Sequence, residues 1–153
     1  MEQGGTKANI TGSRLEQFIE HQLKDSRYTY VVSKDFKTAL YLKQPIYAKQ
    51  MYLCKGIYET KIYGDFVLFH PEKHPECLII ESKWQQTGGT ADEKLPYTIM
   101  NMKEKYPYPT ILVIDGGGYR SGAINWVKNQ IGGKLLNVFN MSEFHTWVNQ
   151  GCL

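Results

Sequence analysis

Three cysteines in 153 residues, Cys54, Cys77 and Cys152, are too few and too scattered for a disulfide framework. No CxxC pair accompanies them, and no histidine stands at zinc-ligand spacing, so a structural zinc site is also excluded. No apolar run approaches the roughly 18 residues that a membrane span needs. The opening Met1–Ile10 is polar and carries no apolar signal core, so the expectation is a cytoplasmic, intracellular protein with no membrane partner. The chain also lacks a Gly-x-Ser-x-Gly, and its glycine cluster 116–118 has neither the Gly-Lys-Ser/Thr ending of a P-loop nor a GxGxxG, so no nucleotide cofactor follows. Strong charge is missing as well. Lys and Arg total 18 against 15 Asp and Glu, a net +3, short of an obvious nucleic-acid binder.

What is present is 42% hydrophobic and 22% charged residues, enough for a packed core. The length suits one domain over 1–153, with 1–10 expected as a flexible N-terminus. The small positive charge is unevenly spread. Residues 1–60 and 101–153 are net basic, whereas 61–100 hold four Lys/Arg against six Asp/Glu. Between Lys34 and Lys55, five lysines interleave with Phe36, Tyr41, Tyr47 and Tyr52, a combination that suits phosphate neutralisation and base stacking as well as a solvated strand.

Leu15, Phe18, Ile19 and Leu23 lie at helical spacing and predict a first helix over Arg14–Lys24, capped by Thr11 or Ser13. Strands are predicted at Tyr28–Val32, Thr38–Leu42, Ile46–Cys54, Lys61–His70 and Cys77–Trp84, with 70–76 as a polar hairpin connector. Thr90-x-x-Glu93 is a capping-box pattern before Leu95, Ile99, Met102 and Tyr106, although Pro96 requires a late start or a kink. Thr110–Ile114 reads as a strand buried on both faces, Ser121–Ile131 as a helix, Leu135–Phe139 as a strand and Ser142–Gln150 as a helix. The order is that of an α/β (α+β) protein with a mixed sheet flanked by helices.

The chemistry-bearing pattern is Gly64-Asp65-Phe66-Val67-Leu68-Phe69 followed by Leu78-Ile79-Ile80-Glu81-Ser82-Lys83-Trp84. Glu81 and Lys83, two apart on a strand, share a face. A hairpin of the two strands brings Asp65 near Glu81. Two adjacent carboxylates repel, and a hard divalent cation relieves the repulsion while keeping both ionised. An ammonium beside such a cation can stabilise charge developing on phosphorus.

The pattern Asp65 … Glu81-Ser82-Lys83, behind a helix carrying Gly12-x-x-x-Glu16, resembles the PD-(D/E)XK nuclease superfamily. The resemblance implies a restriction-endonuclease-like core of helix, three-stranded meander, helix and strand, with helix and strand additions at the C-terminal end. It further implies Mg²⁺-dependent hydrolysis of nucleic-acid phosphodiesters, with Mn²⁺ able to substitute. Asp65 and Glu81 would be metal ligands, Lys83 the catalytic lysine and Gln85 a further site residue. Glu16, or Glu20 one turn on, would be the helix carboxylate that many members add. The residue before Asp65 departs from the pattern, being Gly64 where the name of the superfamily has proline. The segment Glu81–Lys94, ESKWQQTGGTADEK, looks like a restriction-endonuclease-type branch.

On this reading the partner is DNA, double-stranded by expectation, with Lys49, Lys55, Lys94, Tyr119 and Arg120 as backbone contacts. A single site cuts one strand, so duplex cleavage implies a homodimer or a partner subunit. A junction resolvase or repair nuclease of the same fold, or a non-catalytic DNA-binding subunit, are the alternatives. Gly56-Ile57-Tyr58 has no Tyr-Ile-Gly following it, which sets aside a second nuclease signature.

Overall fold

The computed structural model describes residues 3–153. Five helices and six strands alternate as α1 (Gln3–Asp25), β1 (Thr29–Tyr30), α2 (Phe36–Ala39), β2 (Ile46–Lys55), β3 (Lys61–His70), β4 (His74–Trp84), α3 (Leu95–Glu104), β5 (Thr110–Asp115), α4 (Ser121–Asn129), β6 (Leu135–Phe139) and α5 (Met141–Asn149). The strands form one sheet in chain order. β2, β3 and β4 are an antiparallel meander, whereas β1 joins β2, β5 joins β4 and β6 joins β5 in parallel. The helix–meander–helix–strand core is therefore present, with α4, β6 and α5 added after it.

Each central strand is apolar on both faces because both faces are covered. On β5, Leu112 and Ile114 pack with Ile99 and Met102 of α3 and Val127 of α4. Ile111 and Val113 point the other way, into Leu15, Ile19 and Leu23 of α1 and Phe144 of α5. The sheet is thus the middle of three layers, and each buried Leu or Ile contributes about 1.5–3 kcal/mol relative to exposure.

Several local expectations change. Helix α1 runs from Gln3, so Thr11 and Ser13 lie inside it rather than capping it, and the stretch expected to be a flexible terminus is helical from Gln3 on. Met1 and Glu2 lie outside the described residues. Thr38–Leu42 is no strand: it falls in α2 and the 3-10 turn Leu40–Leu42 that follows it. Phe36, Ala39 and Leu40 turn to the core at helical spacing while Tyr41 and Leu42 are solvent-exposed, so the segment shows one helix face rather than a strand's alternation. Gly89, not Thr90, is the N-cap of the 3-10 turn Thr90–Lys94, and α3 starts after it with Pro96 in its first turn, where a missing N–H costs nothing. A capping box does occur before α5, where Asn140 Oδ1 accepts from Glu143 N at 2.8 Å and Glu143 Oε1 accepts from Asn140 N at 2.9 Å.

Candidate active site

The site lies where the meander comes apart. β3 and β4 pair as far as Phe66 opposite Ile80. Beyond that point β3 stays with β2, through Met51–Gly64 and Tyr52–Tyr63, while β4 stays with β5, through Glu81–Leu112 to Trp84–Asp115. The sheet forks, and the backbone groups facing the gap need other partners. Asp65 supplies them. Its Oδ2 accepts from Ser82 N at 2.8 Å and from Ser82 Oγ at 3.1 Å, while Asp65 N donates to Glu81 Oε1 at 3.3 Å. The pairing of Asp65 with Glu81 that the sequence suggests is thus present, made by side chains bridging the fork.

A break in the alternation of side chains turns Asp65 toward that gap. On β2, Ile46 and Ala48 face the α3 side, and the next residues to do so are Met51 and Leu53, one position late. On β3, Val67 faces that side, yet Ile62 packs there too, and a Cβ on Gly64 would touch Leu53. The register stays constant, Lys49–Phe66 before and Met51–Gly64 after, so both strands slip in phase together at Gln50 and Asp65. Gln50 takes a left-handed backbone, with φ +51°. Its Nε2 donates to Asp65 Oδ1 at 3.0 Å.

Glu81 is 5% exposed. Burial, then the charge of Asp65, hold its carboxyl well above the ordinary value of 4.5, against the opposing pull of Lys83. From the other side Tyr106, buried just past α3, meets it. Burial first, then the charges of Glu81 and Asp65 and hydrogen bonding to Glu81, push the Tyr106 phenol up. Lys83 is half-buried on the same strand, close enough for its charge to act on Glu81.

Helix α1 closes the outer side of a cleft lined by Glu16, Glu20, Lys49, Gln50 and Asp65. Its two candidate carboxylates differ in commitment. Glu20 accepts from Tyr47 Oη at 2.6 Å and pairs with Lys49 at 3.2 Å. Partial burial raises Glu20, but those two partners overcome it and leave it below its ordinary value. Glu16 is instead raised, by partial burial and then by Asp65, against Lys49. Glu16 is therefore the helix carboxylate that faces Asp65.

Of the remaining candidates, only Lys49 borders this cleft. Lys49 is engaged by Glu20 and sits over the Tyr30 ring, 5.3 Å from its centroid. Lys55 is exposed at the end of β2, opposite Lys61. Lys94 is exposed. Arg120 packs its Nε 3.5 Å from Asp92, and burial, then the charge of Asp92, raises Tyr119 beside it. Gln85 is buried and turned to the loop after β5, donating its Nε2 to Gly118 O at 3.1 Å. Gly118 N in turn donates to Gln85 O at 2.7 Å. Gly116 and Gly118 serve that contact: a Cβ on either would meet Gln85 O, at 2.3 or 2.6 Å. They are a close-packing device between β4 and β5, not a phosphate cradle. Among the described residues no hydrogen bond or ion pair links Lys94, Tyr119, Arg120 or Gln85 to the carboxylate pair.

Gln50, Ser82 and Tyr106 complete the site without having been marked by the sequence. A glutamine in an alternating strand carries no turn signal, Ser82 acts partly through its backbone, and Tyr106 fits the helical apolar spacing of α3 as a core residue. Against known families, the PD-(D/E)XK nuclease superfamily domain matches residues 7–152. No curated protein and no solved structure matches the chain.

Proposed function

The chain belongs to the PD-(D/E)XK nuclease superfamily, a domain whose match spans nearly its whole length, and from that premise we propose a Mg²⁺-dependent endonuclease of the restriction type acting on double-stranded DNA. The observation that carries the reading is the carboxylate pair: Asp65 and Glu81 bridged across the sheet fork, with Lys83 beside them. Nucleases of this superfamily usually use divalent metal ions, and the donor set fits one. Among the described residues no cluster of three or more His, Cys, Asp or Glu forms a complete protein cage. Two oxygen-bearing carboxylates, completed by waters and substrate phosphate, suit Mg²⁺ rather than a soft transition metal. Glu81, buried beside a second carboxylate, is destabilised in its charged form until a cation joins it.

Asp65 and Glu81 would hold the cation, with Glu16 the nearest further carboxylate. Bound there, Mg²⁺ supplies Lewis-acid chemistry, drawing charge from phosphate oxygens and acidifying water. The chain's own residues do the rest. Ser82 and Gln50 fix both oxygens of Asp65. Glu81 would hold the cation in its ionised form, so affinity would weaken as pH falls. Lys83 brings a positive charge to where negative charge builds on the scissile phosphate. Cleavage of both strands of a duplex uses two such sites, in a homodimer or with a partner subunit. Lys55, Lys94 and Arg120, exposed on different loops and strand ends, are backbone contacts in this reading.

Digestion of a long, sequence-diverse DNA with Mg²⁺, followed by mapping of the cut ends, tests the proposal. Discrete fragments support restriction, and nicks confined to branched or damaged DNA indicate a resolvase or repair enzyme instead. If the protein cuts no duplex, branched or single-stranded DNA and Lys83→Ala behaves identically, the nuclease reading is wrong.

A further inference from the structure

Gln50 is an unusual residue for the middle of a strand. It lies directly across from Asp65, between the Lys49–Phe66 and Met51–Gly64 pairs, yet its φ is +51°. That left-handed conformation brings Cβ against the following carbonyl and is routine only for glycine, with Asn and Asp as occasional occupants. Nothing in the core requires a glutamine there, because the side chain is exposed. Strain of this kind persists where surrounding structure over-determines it, and it clusters at functional sites. Here the left-handed turn coincides with the phase slip of β2 and β3, and the amide it presents donates to Asp65 Oδ1 at 3.0 Å. The other oxygen, Oδ2, is held by Ser82 N and Oγ. Each carboxylate oxygen has two lone-pair directions, so the two Ser82 donors occupy those of Oδ2, while the single Gln50 donor orients Oδ1 and leaves one of its directions open.

We infer that Gln50 is a positioning residue of the active site, its strained backbone aiming an amide that fixes the plane of Asp65. The inference rests on the nuclease reading above, in which Asp65 is a cation ligand. Partners that orient a metal ligand typically change metal affinity or activity 10–100-fold when removed.

Two variants separate the donor from the strain. Gln50→Met keeps side-chain length and backbone strain but loses the donor. Gln50→Gly loses the donor and relieves the strain. Both are expected to lose about 10–100-fold in kcat with KM for DNA within about twofold, and to bind Mn²⁺ correspondingly more weakly by titration calorimetry. Gln50→Gly is expected to melt at or above the wild-type temperature, so lost activity and lost stability part company. A Gln50→Gly protein with wild-type kcat and Mn²⁺ affinity, or losses in the two variants that follow their melting temperatures, would overturn the role. If the wild type itself neither cleaves DNA nor binds Mn²⁺, the nuclease reading falls and this inference with it. A cleaving, Mn²⁺-binding wild type matched by Gln50→Met removes the positioning role alone.

Discussion

Replacing Glu81 by glutamine should stabilise the cation-free protein at neutral and alkaline pH while abolishing its activity. Glu81 is 5% exposed, and burial and Asp65 both disfavour its charged form. Its folded pKa is therefore raised above the ordinary 4.5 of the unfolded chain. Between those two values the native state holds a proton that the unfolded state has lost, so wild-type stability falls as pH rises. The loss is absent below the unfolded value and complete above the folded one. Across the window the slope approaches about 1.4 kcal/mol per pH unit for the one proton involved. In a domain of this size 1 kcal/mol moves Tm by about 2–4 °C, so each pH unit of the window is worth about 3–6 °C. Glutamine keeps an acceptor for Asp65 N but does not ionise, so Glu81→Gln lacks this slope. Differential scanning fluorimetry of both proteins in a chelator, from roughly pH 4 to pH 9, reads the difference. The melting curves should converge at the acid end and separate toward neutrality, with the variant higher. Added Mg²⁺ or Mn²⁺ should then raise the wild type selectively and narrow the gap. A variant no more stable than wild type at neutral pH, or an advantage that grows as pH falls, would refute the reasoning.

Other expectations are as direct. Gly116→Ala places a Cβ 2.3 Å from Gln85 O at φ +113°, and should cost about 3 kcal/mol or more in urea unfolding; Gly117→Ala, strained at φ +75° but with no atom within 4 Å, should cost about 1 kcal/mol. Asn101→Ala removes the acceptor that Ile57 N reaches at 2.9 Å and should cost about 1–3 kcal/mol, with faster hydrogen exchange confined first to residues 56–60. Lys83→Ala should lower DNA cleavage by about 10²–10³-fold, the range for loss of one group that stabilises transition-state charge, while its thermal midpoint stays near wild type.

Periodicity carried much of the fold because each core strand is covered on both sides and each helix on one. β3 and β6 occupy the residues their apolar patterns mark, and α3 begins late as Pro96 requires. Thr38–Leu42 misled because so short an apolar and aromatic run fits a strand or a helical turn equally, and only its phase with Phe36, outside the run, marks Ala39 and Leu40 as one helix face. The carboxylate pair was legible for a simple reason: two strands joined by a short connector pair, and Asp65 and Glu81 are nearly equidistant from it. The fork was not legible, since it depends on where β3 leaves one edge of β4 while β5 stays paired along the other, which distant segments decide. Nor was the phase slip, because strict alternation would have placed Asp65 on the side of Val67, beneath α3. Gln85 follows the opposite course, its spacing from Lys83 suggesting a shared role where the packing of Gly116 and Gly118 draws it aside.

The fork also has a mechanical aspect. The turn joining β2 to β3 does not hang free: Ile57 N is held by Asn101 of α3, Tyr58 stacks on Tyr97 at 5.0 Å, and Thr60 meets Tyr97 at 3.4 Å. The same helix leads into Tyr106, which abuts Glu81 on the other branch. The two strand branches are thus the arms of a caliper and α3 is the strut that sets its opening. Side chains rather than a backbone ladder bridge the gap at Asp65, and α3 braces both arms, one at the tip of the hairpin and the other through Tyr106.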